Sequence, residues 1–462
     1  MTLHGVEFNV SNKPPLDIGF APLAKFNSAF LCSANEQIAI ALERSCGQVA
    51  VYNTYIHGTD EMYKADCFYI NRLIKFLLWG KGGFRLTVCG NKRIAEYVRE
   101  AFCTGGIRAF DAATMARIYE HPFEVLNVPF NERPQANENA LPLGRHLDGC
   151  RIGFDAGGSD RKVSAVINGE AVFSEEVVWN PKTNADPDYH YNGIVEAFKS
   201  AAEKMPRVDA IGVSSAGVYI DNRTMIASLF LAVPDTLFRE KVQDIYVRAA
   251  SDIGDVPLTV ANDGDVTALA GAMELNDDCV LGIAMGTSEA GGYVDANGSI
   301  TGWLNELAFI PVDGQEDAAQ DEWSGDIGCG VKYFSQDAVI KLAPAAGIKL
   351  NDELTPAQKL KVIQEHMQNN HKGAQDIYRS IGVYLAHAIA LYTDHYEIRH
   401  ILLLGRVMSG KGGELIINEA VRVLEDEYAD ISGAVALHLP DENSRRVGQS
   451  VAAASLPALL KG

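Results

Sequence analysis

The ten residues Val260–Leu269, VANDGDVTAL, join two patterns of different period. The run PLTVAN before the junction is typical of a strand, and the spacing of DVTALAGAMEL after it predicts a helix. Asn262 and Asp263 stand at the junction. They could end a strand with a carboxylate that acts as a general base, or they could only cap the helix that follows. The surrounding sequence has to decide between these interpretations.

The pattern on both sides of this junction predicts an α/β fold. Before it lie three strands, RIGFDAGG, RKVSAVING and EAVFSEEVVW, then a helix, the strand VDAIGVSSAG and a second helix. This order predicts a ribonuclease-H-like half over residues 151–270. Residues 271–462 show a similar pattern and predict a second ribonuclease-H-like half, with a C-terminal helix expected to return to the first half. Two such halves predict a cleft between them.

The N-terminal part of the chain predicts a different unit. The stretch FRLTVCGNKRIAEYVREAFCTGGIRAF indicates strand, helix and strand, so residues 1–126 are interpreted as an appended α/β domain. Residues 127–150, NVPFNERPQANENALPLGRHLDGC, are polar, contain three prolines and show no period. Such a composition predicts a linker.

Charge and composition exclude several classes of protein. The chain has 462 residues and a formal net charge of −20, which argues against broad binding to a phosphate backbone. No apolar run reaches the roughly 18 residues that a membrane span needs, and the N-terminus shows no secretory signal. Six of the eight cysteines fall in the first 150 residues and none forms a CxxC pair. We therefore expect a cytoplasmic protein with reduced cysteines and no nucleic-acid or membrane partner.

Three glycine-rich turns could bind phosphate or a nucleotide. They are FDAGGSDRK (154–162), AMGTSEAGG (284–292) and LLLGRVMSGKGG (402–413). Glycines let successive backbone N–H groups surround an anion, and Asp155 at the end of the first strand could hold Mg²⁺. Each turn alone is equally typical of an ordinary connection. Their order, with Asn262-Asp263 between the first and second, favours a phosphate-binding interpretation.

These motifs together resemble the ROK family (repressors, uncharacterised reading frames and sugar kinases) of the actin/hexokinase/Hsp70 superfamily. The resemblance covers residues 151–462 and rests on FDAGGSDRK, ANDGDVTALAGAMEL, MGTSEAGGYVDANGSITGWLNELAFIPV and ILLLGRVMS, in that order. It implies two actin-like ATPase halves. It also implies an ATP-dependent kinase that phosphorylates a hydroxyl of a sugar or sugar-like polyol, and we expect a homodimer.

The resemblance also implies roles for individual residues. Asp263 matches the general base, Asn262 and Glu306 match substrate ligands, and Asp155 is the candidate for Mg²⁺. This mapping favours the catalytic interpretation of the Asn-Asp pair, although an Asp can also cap a helix. The residues that match contacts to ATP are Gly157, Gly158, Ser159, Lys162, Gly286, Thr287 and Gly405.

Some positions depart from the family pattern around the substrate. Phe309 stands where sugar kinases of the family carry a zinc-binding His, and Cys329 alone remains of three cysteines, with Ser324 at one of the lost positions. A structural zinc is therefore not expected. Val331 replaces a second substrate-binding Glu. The loss of the His and of this Glu weakens the case for a plain hexose as substrate.

Other departures bring charge to the nucleotide motifs and leave alternative functions open. Asp160 replaces a Lys, Glu289 a small or apolar residue, and Arg406 a Gly.

A catalytically reduced protein that only binds sugar or nucleotide is one alternative function. The other is a ROK-type transcription regulator, which would need an N-terminal helix-turn-helix with a basic face. The α/β pattern of residues 1–126 and the acidic chain argue against the regulator.

Overall fold

The computed structural model describes residues 1–138, 143–439 and 442–459, including all their side chains except those of 442–447. These residues form two compact units. Unit 1 consists of residues 1–138, 283–291 and 303–439, and unit 2 of residues 143–282, 292–302 and 442–459. The segment 1–126, predicted as an appended domain, lies within unit 1. The predicted domain boundaries at 126, 150 and 270 stay predictions.

Strands occur throughout the described residues. In chain order they are β1 (Thr2–Leu3), β2 (Val6–Glu7), β3 (Glu36–Glu43), β4 (Val49–Ile56), β5 (Arg85–Cys89), β6 (Glu124–Val128), β7 (Cys150–Ala156), β8 (Asp160–Ile167), β9 (Glu170–Val178), β10 (Ala210–Ser215), β11 (Val218–Ile220), β12 (Arg223–Ile226), β13 (Leu258–Asn262), β14 (Val280–Met285), β15 (Glu289–Val294), β16 (His400–Leu404) and β17 (Ala436–His438).

Helices alternate with these strands. In chain order they are α1 (Leu23–Leu31), α2 (Tyr63–Lys81), α3 (Lys92–Phe102), α4 (Ala109–Tyr119), α5 (Pro187–Ala202), α6 (Asp235–Leu237), α7 (Ile245–Ser251), α8 (Asp263–Leu275), α9 (Gln336–Leu342), α10 (Pro356–Gln368), α11 (Lys372–Thr393), α12 (Lys411–Glu427), α13 (Ala429–Ser432) and α14 (Glu442–Ala454). The mixed α/β class predicted from the sequence is confirmed.

The sheet of unit 2 has five strands in the order β13-β10-β7-β8-β9. The first three strands in sequence, β7, β8 and β9, pair antiparallel, whereas β10 and β13 run parallel to β7. Parallel neighbours need long crossovers, and helices α5 and α7 lie in the two connections. The carboxyl ends of β7, β10 and β13 therefore lie side by side at one edge of the sheet.

Helix α14 covers one face of this sheet. Gly153 in the middle of β7 and Gly212 in the middle of β10 leave room for it, because a Cβ atom at either position would collide with the helix carbonyls of Ser450 or Ala453. The core of the unit comes from apolar residues of the sheet and of α5 and α7, with Phe154, Phe198 and Tyr246 fully buried. The two glycines thus allow the C-terminal helix to pack closely against the sheet.

Unit 1 contains the four-stranded sheet β4-β3-β5-β6, and a second four-stranded sheet has the order β15-β14-β16-β17. In the first, β3 pairs antiparallel with β4 and β5, and β6 runs parallel to β5. Helix α2 is buried over most of its length, including the charged residues Asp66 and Lys75. Buried charges require partners, and Lys75 pairs with Asp326 at 2.9 Å and with Asp111 at 3.4 Å.

The predicted linker at 127–150 is ordered at both ends. Strand β6 continues to Val128, a 3₁₀ turn occupies Phe130–Glu132, and β7 begins at Cys150. Residues 139–142 of the linker lie outside the described residues. All eight cysteines are free thiols. No helix in the described part of the chain is both long and apolar enough to cross a membrane.

Candidate functional site

Asn262 forms the cap of helix α8. Its Oδ1 accepts a hydrogen bond from the Gly264 backbone N–H at 2.7 Å, and its Nδ2 donates to the Gly217 carbonyl at 2.8 Å. The two interpretations of the Asn-Asp pair, a helix cap and a general base, therefore apply to different residues. Asn262 accepts the hydrogen bond from the free N–H at the start of the helix, and Asp263 is the first helical residue. The Asp263 carboxylate is not required as the cap.

Asp263 is a half-buried carboxylate with an altered proton affinity. Burial raises its pKa above the ordinary value, and this effect is opposed by hydrogen bonds from backbone N–H groups and by the positive charge of Lys182. One of these bonds joins the Gly264 N–H to Asp263 Oδ1 at 3.0 Å. A carboxylate with a raised pKa is a better proton acceptor near neutral pH than an exposed one.

Asp155 lies at the same sheet edge as Asp263. It is aligned with Ser214 on the neighbouring strand β10, and Ser215 is in turn aligned with Asn262 on β13. The Ser214 hydroxyl donates to Asp155 Oδ1 at 3.1 Å. Burial, and then the negative charge of Asp263, raise the pKa of Asp155 to about 6. The structure therefore brings Asp155 and Asp263 together, as expected for strands that end at one edge.

The Asp155 carboxylate fits a hydrated Mg²⁺. In proteins this ion is usually held by one or two carboxylates, with water and substrate phosphates completing its shell. Asp155 is buried, its pKa of about 6 leaves it ionised at neutral pH, and the Ser214 hydroxyl occupies only one acceptor site of Oδ1. In the described residues no group of three or more His, Cys, Asp or Glu is placed to form a complete metal site.

The first glycine-rich turn connects β7 to β8. Trp179 binds two of its carbonyls, with Nε1 2.7 Å from the Gly157 oxygen and its backbone N 3.1 Å from the Ser159 oxygen. These bonds fix the turn without using its backbone N–H groups, which are the groups that bind phosphate. The Ser159 hydroxyl donates to Asp160 Oδ2 at 3.1 Å.

The cations around this turn differ from those predicted. Lys162, predicted to bind the nucleotide, forms an ion pair with Asp160 at 3.4 Å. Lys182, which sequence reasoning missed, lies against Gly158: a Cβ atom at Gly158 would be 2.9 Å from Lys182 Cε and 3.2 Å from Nζ. No local motif marks Lys182, because the contact depends on the path of the chain through β8 and β9.

The second glycine-rich turn lies in unit 1, between β14 and β15. The Gly286 N–H donates to the Ser288 carbonyl at 2.9 Å, so Thr287 is at the tip of the turn. Gly405, after β16, packs directly on the Met285 backbone, and its φ of 93° belongs to the region that glycine favours. The structure thus brings the second predicted phosphate turn and the predicted adenosine contact together within unit 1.

Glu306 is held by the end of helix α2. Its backbone N–H donates to the Trp79 carbonyl at 3.0 Å, and that of Asn305 donates to the Gly80 carbonyl at 2.9 Å. The Tyr396 hydroxyl donates to Asn305 Oδ1 at 3.2 Å. The N-terminal part of the chain therefore positions the segment that carries the predicted substrate ligand Glu306.

Aromatic and charged side chains occupy the region around Phe309 and Cys329. The Phe309 ring lies 4.1 Å from that of Trp79 and 5.2 Å from that of Trp323. Burial raises the pKa of the Cys329 thiol to about 11, which disfavours the thiolate that zinc requires. The absence of a structural zinc stays a prediction, and this arrangement supports it.

A buried ion-pair cluster adjoins this region. Asp326 accepts from Arg72 at 3.0 Å, Lys75 at 2.9 Å and Arg108 at 2.5 Å. These cations hold the pKa of Asp326 well below its usual range, although burial opposes them. Asp111 shares Lys75, and it also accepts from Trp79 Nε1 at 2.7 Å. The cluster connects helices α2 and α4 to the segment around Cys329.

Glu289 carries a buried carboxyl group. Its exposed fraction is 3%, and neither carboxyl oxygen forms a hydrogen bond in the described part of the chain. It fills the space beside Gly330, where a Cβ atom would collide with its Oε2. Burial raises the pKa of Glu289 well above the ordinary value. Arg406, the other charged departure in unit 1, has an exposed side chain.

Comparison with known proteins identifies relatives of this chain. The sequence model of the ROK family matches residues 151–429. Among solved structures, the ROK hexokinase from Thermus thermophilus is similar at 16% identity and a TM-score of 0.50, over 66% of this chain and 97% of that protein. A ROK family transcriptional regulator, a homologue of the E. coli MLC protein, has 16% identity and a TM-score of 0.50, over 78% of this chain and 87% of that protein.

A third similar structure is a ROK family glucokinase from Streptomyces griseus in complex with glucose and AMPPNP, at 20% identity and a TM-score of 0.47, over 65% of this chain and 98% of that protein. No curated protein matches the chain. The structural similarity shows a shared α/β fold, and the family match covers more than half of the residues, which confirms the predicted resemblance. The chain therefore belongs to the ROK family.

Proposed function

We propose that this protein transfers the γ-phosphoryl group of ATP to a hydroxyl of a sugar or sugar-like polyol, with Asp263 as general base. The observation that carries the proposal is the division of roles at the start of α8. Asn262 caps the helix, and this frees the half-buried Asp263 carboxylate for proton transfer. Asp155 and the first glycine-rich turn lie at the same sheet edge.

Asp263 accepts the proton of the attacking hydroxyl. As the new bond between the substrate oxygen and the γ-phosphorus forms, the bond from that phosphorus to the β–γ bridging oxygen breaks, and ADP leaves. The proton stays on Asp263 until solvent removes it. Such general-base assistance contributes about 10²–10⁴-fold to a rate. The pKa of Asp263 is raised and is therefore closer to the operating pH, and a general base is most effective when its pKa is near that pH.

Asp155 would hold Mg²⁺, which neutralises phosphate charge in kinases of this kind when it is bound. Its pKa of about 6 keeps the carboxylate available at neutral pH. The turn formed by Gly157, Gly158 and Ser159 would bind phosphate oxygens through backbone N–H groups. In unit 1, Gly286 and Thr287 would bind phosphate in the same way, and Gly405, which packs on the Met285 backbone, would contact the adenosine.

Asn262 and Glu306 would bind substrate hydroxyls. Both Asn262 polar atoms already form protein hydrogen bonds, yet Oδ1 has a second lone pair and Nδ2 a second hydrogen for a ligand. Glu306 is half-buried in a segment that α2 holds by backbone bonds. These ligands suit a polyol, and the loss of ligands at Phe309 and Val331 favours a substrate other than a plain hexose.

The regulator alternative receives less support. Residues 36–128 form the sheet β4-β3-β5-β6 with helices α2, α3 and α4, and helix α2 is largely buried within unit 1. A DNA-reading helix must be exposed and basic.

A catalytically reduced protein stays the competing hypothesis, since Asp160 places a carboxylate beside the first phosphate turn. The cytoplasmic location and the homodimer stay predictions.

A coupled assay of ADP release with a panel of sugars and polyols tests the proposal. We expect at least one polyol to stimulate ADP release, and Asp263→Asn to lower kcat by at least about 10²-fold. Asp255→Asn, which changes an exposed carboxylate near the end of α7, is the matched control and should leave kcat unchanged. If no polyol stimulates ADP release, the proposal is wrong and the two alternatives, a catalytically reduced protein and a regulator, remain.

A further inference from the structure

We propose that Lys182 is a catalytic residue of this kinase, and that its ammonium group contacts the phosphoryl group during transfer. The inference rests on the proposed function and adds a residue to it. Lys182 would supply positive charge at the first phosphate turn, where Asp160 introduces negative charge.

The side chain of Lys182 lies across the first phosphate turn. Gly158 is the point of contact, since a Cβ atom there would be 2.9 Å from Lys182 Cε and 3.2 Å from Nζ. The absence of a side chain at Gly158 therefore makes room for the ammonium group directly over the turn's backbone. A phosphate bound by the N–H groups of this turn would lie within reach of Nζ.

The backbone that carries Lys182 is anchored. Lys182 lies in the 3₁₀ turn Pro181–Thr183, which follows β9. The fully buried His190 of α5 contacts the Pro181 carbonyl, with Nε2 3.0 Å from the oxygen, and the Tyr189 hydroxyl accepts from the Asn180 N–H at 3.0 Å. Pro181 itself is buried. A fixed backbone with an exposed side chain suits a residue that must meet a ligand.

The other cations near the turn are already paired. Lys162 pairs with Asp160 at 3.4 Å, and Arg161 pairs with Glu196 at 3.0 Å. Lys182 has no ion-pair or hydrogen-bond partner among the residues that the structure describes. Its charge is therefore available for a ligand, and a lysine ammonium has three donors for one.

The charge of Lys182 also reaches Asp263. It lowers the pKa of Asp263, in opposition to the larger effect of burial. Lys182 therefore lies against the turn that would bind phosphate, and its charge also acts on the carboxylate that would accept the proton.

This position matches what phosphoryl transfer demands. In the transition state, negative charge is spread over three equatorial oxygens of the transferring group, and catalysis consists mainly of positioning and neutralising that charge. Removal of one preorganised donor from such a site typically costs about 10²–10³-fold in kcat. We expect a loss of this size when the ammonium group of Lys182 is removed.

Three variants of the full-length protein test the inference. Lys182→Met keeps the length of the side chain and removes the charge, Lys182→Arg keeps the charge, and Lys199→Met removes an exposed charge from α5 as the control. The assay is ADP release with a polyol that the wild-type protein phosphorylates. Isothermal titration with AMPPNP and with ADP reports the contribution of the third phosphate to binding.

We expect Lys182→Met to lower kcat by about 10²–10³-fold, with little change in KM for the polyol, and to abolish any preference for AMPPNP over ADP. Lys182→Arg should retain more activity than Lys182→Met.

If Lys182→Met keeps kcat within about threefold of wild type while the wild type is active, the inference is wrong and the proposed function stands. If the wild type phosphorylates no polyol, the proposed function is wrong and the inference falls with it. If Lys182→Met loses activity and thermal stability together, and Lys182→Arg restores only the stability, the residue is structural and the inference is overturned.

Discussion

Asn262 and Asp263 are adjacent in sequence but have different roles in the structure. A sequence pattern cannot separate a helix cap from a general base, because both are short polar residues before a helix. The structure assigns the cap to Asn262 through its bond to the Gly264 N–H. Asp263 and Asp155 then form a pair of carboxylates whose protonation should control activity.

The pair predicts a defined pH dependence of the reaction. Asp155 has a pKa of about 6 and that of Asp263 is raised, and both groups must be ionised to bind Mg²⁺ and to accept a proton. We therefore expect kcat/KM to fall as the pH is lowered through about 6, with apparent pKa values that belong to the coupled pair. A profile measured between pH 5 and 9 checks this, and a rate that stays constant down to pH 5 would contradict it.

Glu289 predicts a pH dependence of stability. Its pKa is raised in the folded protein from the ordinary 4.5, so the folded state holds a proton that the unfolded state releases. The free energy of unfolding should therefore fall as the pH rises above about 4.5, by up to about 1.4 kcal/mol per pH unit from this group. Urea unfolding from pH 5 to 8 measures the slope.

Glu289→Gln should remove the contribution of Glu289 to that slope, and the variant should exceed the wild type in stability most clearly at the highest pH. The exposed Glu170→Gln is the matched control and should keep the slope of the wild type. Equal slopes for wild type and Glu289→Gln would mean that the carboxyl group has a partner in solution.

At the scale of elements, strand order was the most predictable feature. The alternation of apolar runs and helical periods from β7 to α8 predicts the order of the elements along the chain. The structure has the predicted elements in this order, and it adds the hairpin β11–β12 and the short helix α6, which were not predicted. The contact between Gly158 and Lys182 was not predictable, because it depends on where the chain lies after β9. The pairing of Lys162 with Asp160 was also missed, although it is local: the two residues are two apart on β8, where side chains share a face of the strand.

The packing of α14 on the unit 2 sheet predicts a sensitive glycine. A Cβ atom at Gly212 would collide with the Ala453 carbonyl of the helix, and backbone cannot move aside as a side chain can. We expect Gly212→Ala to lower the free energy of unfolding by about 1–3 kcal/mol, the usual cost of overpacking a core. Gly254→Ala, where the nearest side chain is 3.9 Å away, is the control. Equal urea midpoints for the two variants would show that α14 does not pack as described.

At the scale of the whole molecule, segments far apart in sequence form one unit. Residues 1–138 belong to unit 1 together with residues 303–439, and the Asp326 cluster is one of their connections. This cluster was not predictable from the sequence, because its cations lie on α2 and next to α4 whereas its carboxylate lies in a loop near Cys329. Ion pairs and aromatic rings pack together in this region, and the absence of a structural zinc there stays a prediction.

The cluster predicts a large loss of stability from one substitution. Asp326→Asn would leave Arg72, Lys75 and Arg108 close together without their shared carboxylate. Removal of one partner from a buried ion pair typically costs about 3–5 kcal/mol, and we expect a loss of that size in urea unfolding. The exposed Asp317→Asn is the control. A loss within about 0.5 kcal/mol would show that the cluster contributes little to the connection.

The transfer of a phosphoryl group with Asp263 as base is the central claim, and detection of the product tests it most directly. The protein is incubated with ATP, Mg²⁺ and each of a panel of polyols, and ³¹P NMR follows the phosphate species. We expect a new phosphate-ester resonance that grows with ADP for at least one polyol, and its near absence with Asp263→Asn. Hydrolysis of ATP to free phosphate without an ester, or ester formation by Asp263→Asn at more than about a tenth of the wild-type rate, would contradict the claim.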